Sequence, residues 1–331
     1  MTQIQRTFTV TMVLGGGALA LGFLSLFVGY AALMPDQVIN GLLGQGGAAA
    51  IVVQEIRLPR AILAMLIGAS LGLGGAALQG LMRNPLAEPG IIGISAAASL
   101  GSVGAMYYGL AGIWSWALPV MAMLGAGGAT LILLIVSHRG NVLSLILAGV
   151  AISSLCAALT SVALNLSPNA YAASEIIYWL LGSLKDRSLS DAGLAAPFVI
   201  AGMATILSVG RQLDALSLGE DAARSLGVDV QRLSASLVFG VAMCIGASVA
   251  AAGAIGFVGL IVPHVLRPFV GHTPSRLLLP SAFGGAALLI AADMGVRLVP
   301  SSSELMVGVM TALLGAPFFF WLIFKRQSAN P

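Results

Sequence analysis

The spacing with the clearest chemical content is Asp293 followed four residues later by Arg297. On a helix that order places acid and base on one face as an i, i+4 ion pair. The rival use of such an acid, a proton relay, belongs to ion-coupled transporters and needs ionisable groups in mid-membrane. Other reactive residues are sparse. The only lysines, Lys185 and Lys325, follow Leu184 and Phe324. A Walker loop needs glycine directly before its lysine to cradle phosphate, so this chain is not its own ATPase. His138, His264 and His272 have no metal-ligand spacing, and neither HExxH nor GxSxG occurs. Cys156 and Cys244 stand singly in apolar runs and read as small buried residues. No catalytic residue, no metal and no bound cofactor is expected.

One stretch is unusually charged. Of fifteen basic and twelve acidic residues, seven fall within residues 211–232. The heart of it, residues 216–228, reads LSLGEDAARSLGV. Glu220 and Asp221 suit the first turn of a short helix, Arg224 its last turn, and Gly227 its C-cap. Gly219, Ala222, Ala223 and Leu226 fall at i, i+3, i+4, i+7 and share a small, shallow face with one larger knob. Such a face fits a groove on a partner; a helix lying on the bilayer surface would also carry it.

The surrounding elements must be membrane helices. Charged residues are 8% of the chain against about 25% in a soluble domain, hydrophobic residues are 58%, and the mean hydropathy is +1.00. A membrane barrel would show short alternating strands instead of long apolar runs. The net charge of +3 is scattered and points to no nucleic acid. The charge-free run 7–35 is longer than a signal-peptide core and reads as a first span.

Gaps between charges give ten spans. They are 7–35, 61–82, two in 89–138 parted near 109–112, 140–174, 192–210, a full and a short one in 233–266 parted around 253–256, 277–298, and 305–324. Even parity puts both termini on one side. That side holds ten of the fifteen Lys and Arg, so the positive-inside rule makes it cytoplasmic. Gly68, Gly72, Ala76 and Gly80 form an i, i+4 ladder that lets helices approach closely in lipid. The chain reads as one transmembrane domain, 1–331, with no soluble domain.

At this point a resemblance enters. LSLGEDAARSLGV is similar to the coupling helices of FecCD-type permeases, the membrane subunits of binding-protein-dependent ABC importers for iron-siderophores, haem and cobalamin. RLPRAILAMLIGASLGLGGAALQGLMRNPLAEPGIIGIS (57–95), GAIGFVGLIVPHVLRPFVG (253–271), AADMGVRLV (291–299) and ELMVGVMTALLGAPFFFWL (304–322) resemble the family in the same order. The resemblance implies a type II ABC importer permease fold of ten transmembrane helices. It implies a homodimer around a central pathway, with two ATP-binding subunits beneath that carry ATP and Mg. A periplasmic substrate-binding protein docks above, and the setting is the bacterial inner membrane. Residue by residue, Arg57, Arg60 and Arg297 match the docking arginines for the binding protein. A cytoplasmic coupling segment at about 212–229 matches the ATPase contact through Leu216, Leu218, Gly219, Glu220, Ala222, Ala223, Arg224, Leu226 and Gly227. Asn84 and Leu86, within NPLA, match a cytoplasmic gate, and Val142 and Leu143 make its facing loop drier than in some relatives. Met306 replaces a proline common in the family. His264, in PH, is a family signature.

The wording NPLAEPG resembles haem and cobalamin permeases more than siderophore ones, which orders the cargoes haem, cobalamin, ferric siderophore. Ser153, Ser154, Thr160 and Ser161 are the polar groups offered by the fifth span. An uncharged pathway suits a large cargo that must not stick. An ion-coupled transporter using Asp293, and a membrane protein with no transport role, are the alternatives.

Overall fold

The computed structural model describes residues 3–139, 142–299 and 304–328, and no strand occurs among them. Ten apolar helices form the body: α1 (Gln3–Ser25), α2 (Leu58–Leu81), α3 (Ile94–Tyr107), α4 (Ala117–Arg139), α5 (Val142–Asn165), α6 (Leu189–Ser208), α7 (Val230–Ala252), α8 (Val258–Val270), α9 (Pro274–Leu298) and α10 (Val307–Ser328). They correspond one for one to the spans drawn from charge gaps. The helix of α2 is continuous with Ala48–Ile51 and a π-wound stretch, Val52–Arg57.

Local chemistry sets the boundaries. The Ser188 hydroxyl accepts from the Asp191 amide while Asp191 accepts from the Ser188 amide, and this capping box starts α6. Asp229 caps α7 by accepting from the amides of Gln231 and Arg232 at 3.1 and 3.0 Å. Gly253, at φ 72°, ends α7.

α2 is the axis of the subunit, and its glycines bring backbones together. A Cβ on Gly68 would lie 2.4 Å from the Gly285 carbonyl oxygen, and one on Gly72 would lie 2.0 Å from that of Ser281. Both partners are on α9. Gly80, lower on the same stripe, faces Pro274, the first residue of α9. The ladder read from sequence is therefore the antiparallel seam between α2 and α9. Gly75 uses another face of α2 against Gly259 of α8, with the would-be Cβ 2.1 Å from the Gly259 oxygen. In lipid, where apolar side chains gain little by leaving the tails, such close packing is what holds helices together.

Two helices are too short to cross a hydrocarbon core of about 30 Å. α3 has 14 residues and α8 has 13, about 20 Å each. The sequence anticipates the short α8 but reads α3 as a full span. Both are preceded by non-helical chain, 82–93 and 253–257, apart from a single 3-10 turn at Pro89–Ile92; the first starts exposed at Arg83 and Asn84 and becomes buried by Ile92 and Gly93. Unpaired backbone at that depth is tolerated only where protein or water serves it.

Contacts sort the helix ends. Arg276 donates to Gln3, and Gly80 meets Leu213 and Pro274, so the starts of α1 and α9, the end of α2 and the Gly210–Leu216 helix share one end. We call this the basic end. The opposite end, labelled the outer end after the orientation expected from sequence, gathers the end of α1, the start of α2, the end of α9 and Glu304. Exposed Tyr108, Trp114 and Trp116 follow α3, where amphipathic rings suit a membrane interface. α1, α5 and α6 leave much of their surface uncovered, with Leu143, Leu147 and Leu155 all more than half exposed. That surface is for lipid or for another chain.

Candidate functional site

Three groups of residues carry what chemistry there is, and the first lies at the outer end. Arg57, Arg60 and Arg297 sit on the edge of a cavity of about 280 Å³, also lined by Tyr30, Lys185, Asp186 and Glu304. Each arginine is at most 6% exposed, so none stands on the surface as a free steering charge. Sequence alone places them on the outer face; the structure sinks them beneath it because internal partners hold them. Arg57 donates to the Leu26 oxygen at 2.7 Å and to the Ala31 oxygen. Arg60 donates through Nε to Asp293 Oδ1 at 2.7 Å and through Nη2 to Glu304. Arg297 Nη1 reaches the oxygens of Ser25 and Val28 at 2.9 and 2.7 Å. Its Nη2 lies 2.9 Å from Asp293 Oδ2, out of line for a hydrogen bond, so that contact is ionic. The i, i+4 pair predicted from spacing is present and extends to a second arginine. Three guanidiniums face two carboxylates, which leaves one positive charge in excess. Nearby, Arg187 stacks 4.7 Å above the Trp179 ring. Burial pulls this guanidinium below its ordinary range, and Asp191 and Asp186 oppose the shift.

The second group is the charged stretch at the basic end. It folds as two short helices, Gly210–Leu216 and Glu220–Ser225, joined through Gly219 at φ 115°. Arg224 contacts Glu220 and Asp221, each at 3.2 Å, and Gly227 at φ 82° closes the helix as predicted. The shared face is not as sequence implies. Ala223 and Leu216 are fully buried against the chain's own bundle, whereas Leu218 and Leu226 are more than 60% exposed. Gly219 and Ala222 are half-buried. The outward apolar features are therefore two leucine knobs flanking a paired charge cluster. Two of the seven charges act as helix caps. Asp214 accepts from the Ser275 amide at 2.8 Å and hydroxyl at 2.6 Å, capping α9 from a distant segment, and Asp229 caps α7.

The third group surrounds NPLAEPG. Asn84 Oδ1 accepts from the Leu86 amide at 3.0 Å, a tight turn at the end of α2. Val142 and Leu143 open α5 as helix rather than loop; Gly140 and Asn141 lie outside the described residues. Val142 lines a small cleft with Glu220 and Arg224. Sequence reasoning misses Glu88. Placed directly before the charge-free run 89–138, it reads as an interfacial charge. Instead Glu88 accepts a hydrogen bond from the amide of Phe257, which stands at φ 67° before the first residue of α8. Gly259, two residues further, packs on Gly75, about 9 Å up α2 from Leu81. Glu88 thus ties one interrupted segment to the other inside the bundle. Its carboxylate meets the positive end of a helix dipole there.

Of the fifth-span hydroxyls, Ser154 and Ser161 are exposed and Thr160 is half-buried. The Ser153 hydroxyl is buried with no hydrogen-bond partner among the described residues.

The comparisons with known proteins agree with this arrangement. The sequence model of the FecCD transport family matches residues 17–325. The vitamin B12 import system permease protein BtuC of Salmonella typhi is 42% identical over 275 residues, which are 82% of this chain and 83% of that protein. BtuC of Salmonella arizonae is 41% identical over the same shares. Among solved structures, a metal-chelate type ABC transporter in an inward-facing conformation superposes with a TM-score of 0.87 and 30% identity, covering 96% of this chain and 99% of that one. PsaBC from Streptococcus pneumoniae in complex with Fab has a TM-score of 0.51 at 18% identity, a likeness of fold alone.

Proposed function

This chain belongs to the FecCD transport family, and from that premise we propose that it forms the translocation pathway of a binding-protein-dependent importer for cobalamin. At the coarser level it is a multi-pass membrane permease subunit of an ABC importer, and ATP hydrolysis belongs to a partner chain. The observation that carries the cargo is the 42% identity to vitamin B12 import permeases over four fifths of the chain. This revises the order read from NPLAEPG, in which haem stood first. A ferric or other metal chelate is the second reading, favoured by the 30% identical metal-chelate transporter.

In this reading two copies enclose the pathway, with both termini in the cytoplasm and the basic end facing two ATPase subunits. Leu218 and Leu226, flanking the Glu220–Ser225 helix, are the side chains free to enter an ATPase groove. Asn84 and Leu86 of one copy, with Val142 and Leu143, close the cytoplasmic mouth. At the outer end, the excess positive charge beneath Lys185 suits a carboxylate entering from the binding protein. The ion-coupled alternative loses its relay residue, since Asp293 is held between Arg60 and Arg297.

The test is ATP-driven uptake into proteoliposomes holding this chain, its ATPase and the cognate binding protein. Cobalamin, haem and a ferric siderophore are supplied in parallel. Cobalamin uptake at least about tenfold above the others is the expected result. Preferential uptake of haem or siderophore retains the importer and discards the cargo.

A further inference from the structure

A cavity of about 220 Å³ opens at the basic end between α2, α8 and α9. Its basic side chains are Arg83, Arg267 and His272, and among the described residues no acidic side chain lines it. Gln79, only 3% exposed, forms the floor. Its Oε1 receives Arg267 Nη2 at 2.7 Å, while its Nε2 faces the carbonyl oxygens of Gly259 and Leu260 at 3.4 and 3.5 Å. The amide is thereby fixed in one orientation, and Arg267 is held at the wall.

Arg83 and His272 differ from Arg267. Neither side chain has a hydrogen-bond or ion-pair partner among the described residues. Arg83 also occupies an unfavourable backbone position. It ends α2 at φ 48°, the left-handed conformation that glycine adopts freely and other residues resist. Its amide bonds to the Gly80 oxygen and the Asn84 amide to the Gln79 oxygen, a helix-ending pattern in which glycine would be the stable choice. Arginine there gains some favourable interaction with the helix C-terminus. Its guanidinium also completes the positive lining. A strained residue kept where an easier one fits points to a use for its side chain.

We propose that this cavity is an oxyanion site that takes a phosphate group. Two guanidiniums and an imidazole present several donors to the several oxygens of a tetrahedral phosphate, and arginine forks suit that geometry. The volume exceeds what a single carboxylate fills. Two sources share this chemistry, soluble phosphate compounds and the headgroup of an anionic phospholipid. The assignment does not rest on the cargo, and the cavity borders the 212–229 segment through Ser217.

The experiment uses the full chain in phosphatidylcholine nanodiscs. Inorganic phosphate and acetate are titrated calorimetrically, and native mass spectrometry compares short-chain phosphatidylglycerol with phosphatidylcholine. Two variants are run beside the natural chain, Arg83→Gly and His272→Ala. Arg83→Gly suits the backbone and should fold at least as well, which a melting curve checks. Saturable phosphate binding that weakens about tenfold or more in both variants supports a site for soluble phosphate. Selective phosphatidylglycerol binding, weakened likewise, supports the headgroup source. Binding that is absent, or unchanged in both variants, overturns the site. Acetate binding as tightly as phosphate overturns the phosphate assignment and turns attention to acidic side chains of a partner.

Discussion

Replacing Asp293 tests the logic of the buried arginine well. Asp293→Ala removes the acceptor of the 2.7 Å bond from Arg60 and the ionic contact with Arg297. Among the described residues Glu304 is then the one carboxylate left in contact with any of the three guanidiniums, each at most 6% exposed. Removing one partner of a buried ion pair costs about 3–5 kcal/mol. The lower end applies here, since Arg60 keeps Glu304 and Arg297 keeps the oxygens of Ser25 and Val28. A loss of about 3 kcal/mol is roughly two decades in the unfolding constant. Asp293→Asn keeps an acceptor for Arg60 without the charge and should lose about half as much. The double change Arg60→Met with Asp293→Leu removes both charges together but takes a partner from Glu304 and Arg297, so it should recover only part of the alanine loss. The assay is reversible unfolding of the full chain in mixed micelles as the denaturing detergent is raised. An alanine variant within about 1 kcal/mol of the natural chain refutes the argument. So does a double variant no better than the single one.

Other consequences can be measured on the same protein. Glu88→Ala should speed hydrogen exchange at the Phe257 amide about tenfold or more, while Glu88→Gln keeps an acceptor and most of the protection; equal exchange in all three would dismiss the tie between the two interrupted segments. Gly72→Ala forces a Cβ to within 2.0 Å of the Ser281 oxygen and should cost about 1–3 kcal/mol, whereas Gly104→Ala, with open space around its Cβ, should be neutral or slightly stabilising. Melting temperatures of the two variants decide the matter. Leu226→Glu alters an exposed side chain, so stability should move by no more than about 0.5 kcal/mol. If the coupling reading is right, ATP hydrolysis stimulated by the loaded binding protein should fall about tenfold in that variant, and full stimulation would count against it.

Much of this architecture can be read before any coordinates. Charge is so costly in a bilayer that gaps between charges mark the ten helices, and Gly68, Gly72 and Gly80 announce a close helix seam. Asp293 and Arg297 are legible as a pair because helix periodicity brings them together. What escapes is whatever depends on distant segments meeting. Nothing near Arg60 foretells Asp293, 233 residues away, and nothing near Glu88 foretells the Phe257 amide. Periodicity groups Gly219, Ala222, Ala223 and Leu226 on one face but does not say which way it turns. Packing settled that, burying Ala223 and leaving Leu226 outside. The short α3 was hidden because its apolar run continues into non-helical chain.

α9 has a mechanical consequence. Its 25 residues form a rod of about 37 Å, long enough to join both membrane surfaces. One end is clasped by Asp214 through Ser275, directly beside the Glu220–Ser225 helix. The other end carries Asp293 and Arg297 in the arginine well. Along the way, Gly68 and Gly72 of α2 bear on its backbone like a slide bearing, without side chains to absorb a push. The internal joint chemistry provides is Pro280, which lacks an amide hydrogen and sits in the second turn. One helix therefore carries both the residue clasped by Asp214 and the counter-ion of Arg60, so the two ends of the subunit share a single continuous element.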